Sequence, residues 1–199
     1  MPRGRPQKFD EIAVLDAAAE LFKRDGYDAV SVAQLCEETG LAMQSLYHRF
    51  GDKAGLYREA LDRFGQTAND PQIAALETSD DPLQAVRDFA RQWKRHAGAG
   101  PDGGCLFTQT MARGDRTQPD GPDATARAYS VRLRKTLTAT LRRAVTDGQL
   151  RPDTDAAQLA DAIFTLAFGV AVVGRGGMPA SMIDHAVDAA LGLLDDARM

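Results

Sequence analysis

The sequence predicts an all-α protein of about nine helices, with an N-terminal three-helix helix-turn-helix domain followed by a larger helical domain. Three observations carry that prediction. Apolar residues recur at three- and four-residue spacing through most of the chain. No run alternates with period two between hairpin turns. Residues 31–50 make two short amphipathic segments on either side of Gly40. The length of 199 residues allows a small module joined to a larger one, and 44% hydrophobic with 26% charged residues is the balance of a packed globular chain.

The first helix is expected from about residue 10 to 25. Asp10 supplies the cap, Ile12, Leu15, Ala19 and Phe22 the inner face, and Gly26 the stop. Ser31 followed by Gln34 is a capping-box pattern that opens a second helix, with Val32, Leu35 and Cys36 on one face and an end near Thr39 and Gly40. After that glycine, Leu46, Tyr47 and Phe50 mark the inner face of a third helix and leave Met43, Gln44, Ser45 and His48 outside. Asp52 caps a fourth helix carrying Leu56, Tyr57, Ala60, Leu61 and Phe64, which is expected to fade through Gly65 and the polar stretch up to Pro71. A domain boundary is placed there, dividing residues 1–66 from 67–199. Further helices are expected over about 81–97, 105–113, 122–147, 155–174 and 179–196, with Gly/Pro-rich breaks at 98–104 and 114–122.

The net charge of −4 opposes indiscriminate binding to nucleic acid, whose affinity comes mainly from Lys and Arg on phosphates. The local distribution points the other way. Residues 1–9 carry only Arg3, Arg5 and Lys8 as charges, and residues 40–50 contain no acid. Two short helices joined by a glycine turn, the second with a polar outer face, are what a major-groove reader needs.

The line S31-V-A-Q-L-C-E-E-T-G-L-A-M-Q-S-L-Y-H-R-F-G-D-K53 resembles the DNA-binding signature of the TetR family, with Gly40, Leu41, Leu46, Tyr47, Phe50 and Lys53 on its pattern. The preceding A-A-E-L-F-x-x-x-G-Y is similar to the family's first helix. Ala42 departs from it, standing where the family commonly has a capping Ser or Thr. From chemistry, Gln44 suits an adenine edge, Met43 a thymine methyl, and Ser45 a base or a phosphate. The resemblance implies phosphate contacts for Tyr47 and His48, although Tyr47 also reads as core. Lys53 opposes the helix dipole unless a phosphate neutralises it, or it is simply solvated. Arg3 and Arg5 read either as a minor-groove arm or as a solubilising tail. Ser31 completes the set of DNA-facing positions.

In the larger domain, Leu159, Ile163, Leu166, Phe168, Val172, Val173, Ile183, Val187, Leu191 and Leu194 give the last two helices more apolar surface than one layer readily covers. They are expected to form a homodimer interface, with an intrachain core as the alternative. The family pattern implies a four-helix bundle across a two-fold axis, hence a palindromic double-stranded operator. Phe89, Trp93, Phe107, Met111, Tyr129, Leu133 and Phe164 are candidates for the pocket of a small-molecule inducer that the resemblance implies but does not name; each also reads as core.

Cys105 follows Gly103 and Gly104 at a helix start, where the dipole is expected to lower its thiol pKa and make it a redox or electrophile sensor, or where it is a small buried side chain. The sequence lacks metal-ligand spacing, phosphate loops and catalytic signatures, so no metal, cofactor or enzymatic activity is expected. Cys105 with His96 or His185 is the weakly supported enzymatic alternative, and a helical adaptor the other. With no signal peptide and no run of eighteen uncharged apolar residues, a cytoplasmic location away from membranes is expected. The function predicted is a transcriptional regulator, a repressor released from its operator by the inducer.

Overall fold

Asp10 starts the first helix, its carboxylate accepting from the main-chain N–H groups of Ile12 and Ala13 at 3.0 and 3.3 Å. A computed structural model of the chain describes residues 9–97, 104–114 and 121–199, so Arg3 and Arg5 lie outside the described residues. Helix α1 (Glu11–Asp25) is followed by α2 (Val32–Thr39), α3 (Met43–Phe50) and α4 (Lys53–Phe64). A π-helical turn (Gly65–Asn69) then leads directly into α5 (Asp70–Thr78). The chain continues through α6 (Pro82–Ala97), α7 (Leu106–Arg113), α8 (Pro122–Thr146), α9 (Ala156–Arg175) and α10 (Ala180–Asp196). Because α4, the π turn and α5 form one rod, the described residues make nine helical rods and no strand.

That rod corrects one expectation. The polar stretch before Pro71 does not end the fourth helix. Asp70 donates its N–H to the Gly65 carbonyl in the wider i to i+5 pattern, and Pro71 sits in the first turn of α5, where its missing N–H costs nothing. Ile73 and Leu76 of α5 are then buried in the core of the larger domain.

Two apolar cores form. Val14, Ala18, Leu21, Phe22, Leu35, Leu46, Phe50, Leu56 and Leu61 fill the first, which joins α1 to α4. Ile12, expected on the inner face of α1, is 56% exposed, because Val14, Ala18 and Leu21 face inward instead. The second core joins α5, α6, α8, α9 and α10 through Val86, Phe89, Leu137, Leu141, Ile163, Val170 and Leu194. Helix α7 packs into the first core through Leu106 and Phe107, while Cys105 just before it and Tyr129 of α8 touch both cores.

Helix α9 is long and apolar enough to cross a membrane by length and composition. In the fold it lies against α6, α8 and α10. Its Asp161 pairs with Arg134 of α8.

Candidate nucleic-acid interface

The turn between α2 and α3 is set by capping at one end and by backbone conformation at the other. Ser31 accepts from the Gln34 N–H at 3.2 Å while Gln34 Oε1 accepts from the Ser31 N–H at 2.9 Å, a complete capping box. Ser31 is thus engaged in capping at an exposed helix start. Gly40 closes α2 in the left-handed region (φ 69°, ψ 10°), which a side chain would oppose. Ala42 then begins α3 with no side-chain cap.

Leu46 and Phe50 anchor α3 inward, and Met43, Gln44, Tyr47 and His48 are exposed together on its outer face, with Ser45 half-buried at the edge. Tyr47 is 45% exposed, so its inner-face assignment is wrong: one residue past Leu46, the helix turns it to solvent. A polar amide, a hydroxyl, a phenol, an imidazole and one apolar thioether therefore share a surface free of acids. That combination can read base edges and hold phosphates at once.

Arg49 is the cation of α3 that sequence reasoning left without a role. It does not belong to this surface. Its guanidinium pairs with Glu11 of α1 and Glu59 of α4: Nη1 and Nη2 donate to the two Glu59 carboxylate oxygens at 3.0 and 2.9 Å, and Nε donates to Glu11 at 2.9 Å. These bonds hold the Glu11 carboxyl below its usual range and raise the guanidinium above its own, so Arg49 is a strut joining three helices. The carboxylate partners lie on other helices, which is why the pattern of α3 alone does not disclose it.

Helix α4 begins beside this face. The Asp52 carboxylate accepts from the Gly55 N–H at 2.7 Å. Gly55 is required by close approach, since a Cβ there would stand 2.0 Å from the Phe50 carbonyl oxygen. Lys53 occupies the first helical position, with its Nζ 4.4 Å from the centre of the Tyr27 ring. Burial lowers its pKa, partly countered by Asp28. A cation–π contact relieves some of the conflict between an ammonium and the positive helix end, and an incoming phosphate would relieve the rest.

The sequence matches two family models: bacterial regulatory proteins, tetR family, over residues 14–60, and the tetracyclin repressor-like C-terminal domain over residues 82–189. The chain belongs to the TetR family. That family is one of DNA-binding transcriptional regulators. Among relatives, the HTH-type transcriptional repressor ComR of Escherichia coli (strain K12) is 30% identical over 179 residues, covering 88% of this chain and 84% of ComR. The HTH-type transcriptional repressor BdcR of the same organism is 30% identical over 131 residues, covering 63% of each chain. Among solved structures, a cysteine mutant of the TetR-family regulator CifR complexed with a 26-base-pair double-strand operator superposes with a TM-score of 0.82 at 27% identity, covering 94% of this chain and 98% of that one.

In this TetR-family chain, α7 ties the DNA-binding region to the larger domain by polar contacts. Gln109 donates to the Lys23 carbonyl at 3.1 Å. Thr110 and Tyr57 share a 2.7 Å hydrogen bond, and the Arg113 guanidinium lies 4.2 Å from the Tyr27 ring centre. Arg175 of α9 adds bonds to the Lys23 and Arg24 carbonyls.

Two sizeable cavities flank this joint. One, of about 240 Å³, lies between α1, the π turn and Trp93, with Phe64, Asn69, Gln72 and Cys105 in its wall. The other, of about 430 Å³, lies between the α1–α2 connection and helices α7 and α9, bordered by Tyr27, Gln109, Arg113 and Arg175. Of the expected pocket residues, Trp93, Phe107, Tyr129 and Leu133 surround a space of only about 20 Å³ beside the first cavity. Phe89 is buried against Trp93. Met111 and Phe164 line neither large cavity: Met111 takes a hydrogen bond from Ser130 and Phe164 packs on Phe168.

Cys105 borders both large cavities. The expected lowering of its pKa is reversed. Burial pushes the thiol up, and the amides of Thr108 and Phe107, the Thr108 hydroxyl and the Asn69 side chain offset only part of that.

The apolar residues expected at a subunit interface divide into three groups, of which exposed Val172 makes up the last by itself. Ile163, Ile183, Val187 and Leu194 are buried within the chain, where the α6, α8, α9 and α10 core already claims them. Leu159, Leu166, Phe168, Val173 and Leu191 are half-buried. The outward stripe consists of Thr165, Gly169 and Val172 on α9 and of Met182, Ala189 and Leu193 on α10, with Val172 53% exposed.

Proposed function

We propose that the chain is a homodimeric, sequence-specific DNA-binding repressor. Residues 1–66 serve as its reading head, and residues 67–199 pair the subunits and receive a small-molecule inducer. The observation that carries the reading is the acid-free exposed face of α3 beside Lys53, with Arg49 withdrawn into the Glu11–Glu59 strut. Gln44, with Met43 and Ser45, meets base edges. Tyr47, His48 and Lys53 meet phosphates, and Arg3 and Arg5 are assigned to the adjacent minor groove. The repressor names of ComR and BdcR and the operator complex of CifR support the direction of regulation and the target.

The stripe from Val172 to Leu193 forms the two-fold interface with half-buried Leu159, Leu166, Val173 and Leu191 at its margin. It places the two α3 helices about 34–36 Å apart, or a multiple of that, on a palindromic operator. An inducer seated at the joint between α1, α7 and the π turn changes the tilt of the heads, and a coupling of about 1–3 kcal/mol suffices to shift occupancy. The activity is binding without catalysis, exercised in the cytoplasm.

A second reading places sensing at Cys105, which borders both cavities beside the joint. In that reading the thiol loses its proton to solvent and reacts as the thiolate only after a local opening relieves its burial. Selection of bound sequences from a random duplex pool, followed by salt-dependent band shifts, tests the main reading. Recovery of a palindrome supports it, and binding without sequence preference sinks it.

A further inference from the structure

Tyr27 lies in the connection between α1 and α2, and three other elements or their ends meet its ring. Phe22 of α1 stacks on it at a centroid distance of 5.8 Å, and Tyr57 of α4 tilts against it at 4.7 Å. The Arg113 guanidinium, at the end of α7, stands 4.2 Å from the ring centre. Aromatic neighbours on two helices and a cation from a third make the ring a fixed platform at the joint between the reading head and the larger domain.

The Lys53 ammonium shares that platform, 4.4 Å from the ring centre. The negative face of the ring attracts each cation, while the cations repel one another. Burial and the Arg113 charge lower the Lys53 pKa, and Asp28 counters them in part. An anion arriving at this half-buried ammonium would relieve the repulsion. Lysine is also among the side chains that lose most rotamer freedom when fixed, so a lysine already ordered on a ring grips a phosphate with less entropic loss.

Resting on the assignment of Lys53 to a DNA phosphate, we propose that Tyr27 is a positioning residue for that contact, its ring holding the Lys53 ammonium in place at the start of α4 both in the free protein and on DNA. The cation–π contact involves no acceptor atom and leaves ammonium N–H groups to donate to phosphate oxygens. Sequence is not read through this pair, so its effect falls on any duplex alike.

Affinities for a random-sequence duplex are measured with full-length wild type, Tyr27→Phe, Tyr27→Leu, Lys53→Ala and the Tyr27→Leu, Lys53→Ala double variant. Tyr27→Leu is expected to weaken binding about threefold to fivefold, and Tyr27→Phe, which keeps the ring, to bind as wild type. In the Lys53→Ala background Tyr27→Leu should have no further effect. Full affinity in Tyr27→Leu, the same loss in both backgrounds, or a loss in Tyr27→Phe equal to that in Tyr27→Leu overturns the proposal. The second measurement needs no Tyr27 variant and decides the matter if Tyr27→Leu fails to fold. In ¹³C-lysine-labelled protein the Lys53 ε-methylene resonance, assigned by its loss in Lys53→Ala, should lie upfield of free lysine because of the ring and stay upfield at saturation with duplex. Its return to the free-lysine position on DNA overturns the proposal. Weakened binding in Lys53→Ala together with any of these contrary results overturns this inference alone. Wild-type affinity in Lys53→Ala overturns the phosphate assignment on which it rests.

Discussion

The guanidinium of Arg175, in the last turn of α9, donates to the main-chain carbonyl of Arg24 at 3.0 Å. It donates to the Lys23 carbonyl as well, and Gln109 adds a third bond there. The end of α1, part of the reading head, is therefore held by two helices of the larger domain. Helix carbonyls left open at a C-terminus attract a cation, so the latch suits both its hydrogen bonds and its field.

Arg175→Ala removes that latch. The half-buried charge-assisted bonds contribute about 1 kcal/mol, so amide exchange at Gly26, whose N–H bonds the Phe22 carbonyl, should accelerate about fivefold. Exchange at Leu137, deep in the second core, should not change. Equal protection of Gly26 in variant and wild type would mean that the latch holds nothing.

Tyr57 carries a pH signature. Burial pushes its phenol up to about 12, with the Thr110 bond opposing the rise. A raised folded pKa stabilises the fold fully below the unfolded tyrosine value of about 10, and that stability is lost as pH rises through about 12. Alkaline denaturation should therefore begin near pH 10 and be shallower in Tyr57→Phe. Thr110 retains its bond to the Leu106 carbonyl in that variant, so stability at neutral pH should change little. Identical alkaline limbs for the two proteins would contradict the assignment.

Cys105 should react slowly with iodoacetamide at neutral pH, more slowly than glutathione, and speed up only as pH passes the ordinary thiol range, because burial raises its pKa. The site is identified by peptide mapping, which separates Cys105 from Cys36. Rapid modification at neutral pH would show a thiolate and favour the sensing role. If Cys105→Ala still releases DNA with a non-reactive inducer, release does not need the thiol.

Ala42 starts α3 in extended backbone (φ −66°, ψ 142°), a geometry compatible with a capping side chain, yet it offers no acceptor. Ala42→Ser should stabilise the protein by about 1 kcal/mol and raise Tm by about 2–4 °C. Scanning calorimetry checks it, and an unchanged or lower Tm would show that packing fixes this helix start without help.

Features governed by near neighbours were legible from the sequence. The caps at Asp10, Ser31 and Asp52 appear where side-chain chemistry and spacing place them, and the helices after residue 104 begin and end within one or two residues of their expected bounds. What escaped depends on distant partners. The sequence N69-D-P71 reads as a break until the i to i+5 turn carries the helix through it. Arg49 has no role in the sequence pattern until Glu11 and Glu59 come together around it. Apolar α9 and α10 positions look alike in the sequence, and only packing against α6 and α8 separates buried Ile163 and Ile183 from exposed Val172 and Leu193.

The division of the head into base-reading and phosphate-holding residues is tested most directly by measuring operator and random-duplex affinities of Gln44→Ala across a salt series, with Lys53→Ala as the contrast. Gln44→Ala is predicted to lose about 1–3 kcal/mol on the operator, none on random duplex, and to keep the wild-type salt slope. Lys53→Ala should weaken both and lower the slope by about one. A Gln44→Ala protein that keeps full operator preference, or that weakens equally on both duplexes, would contradict the account.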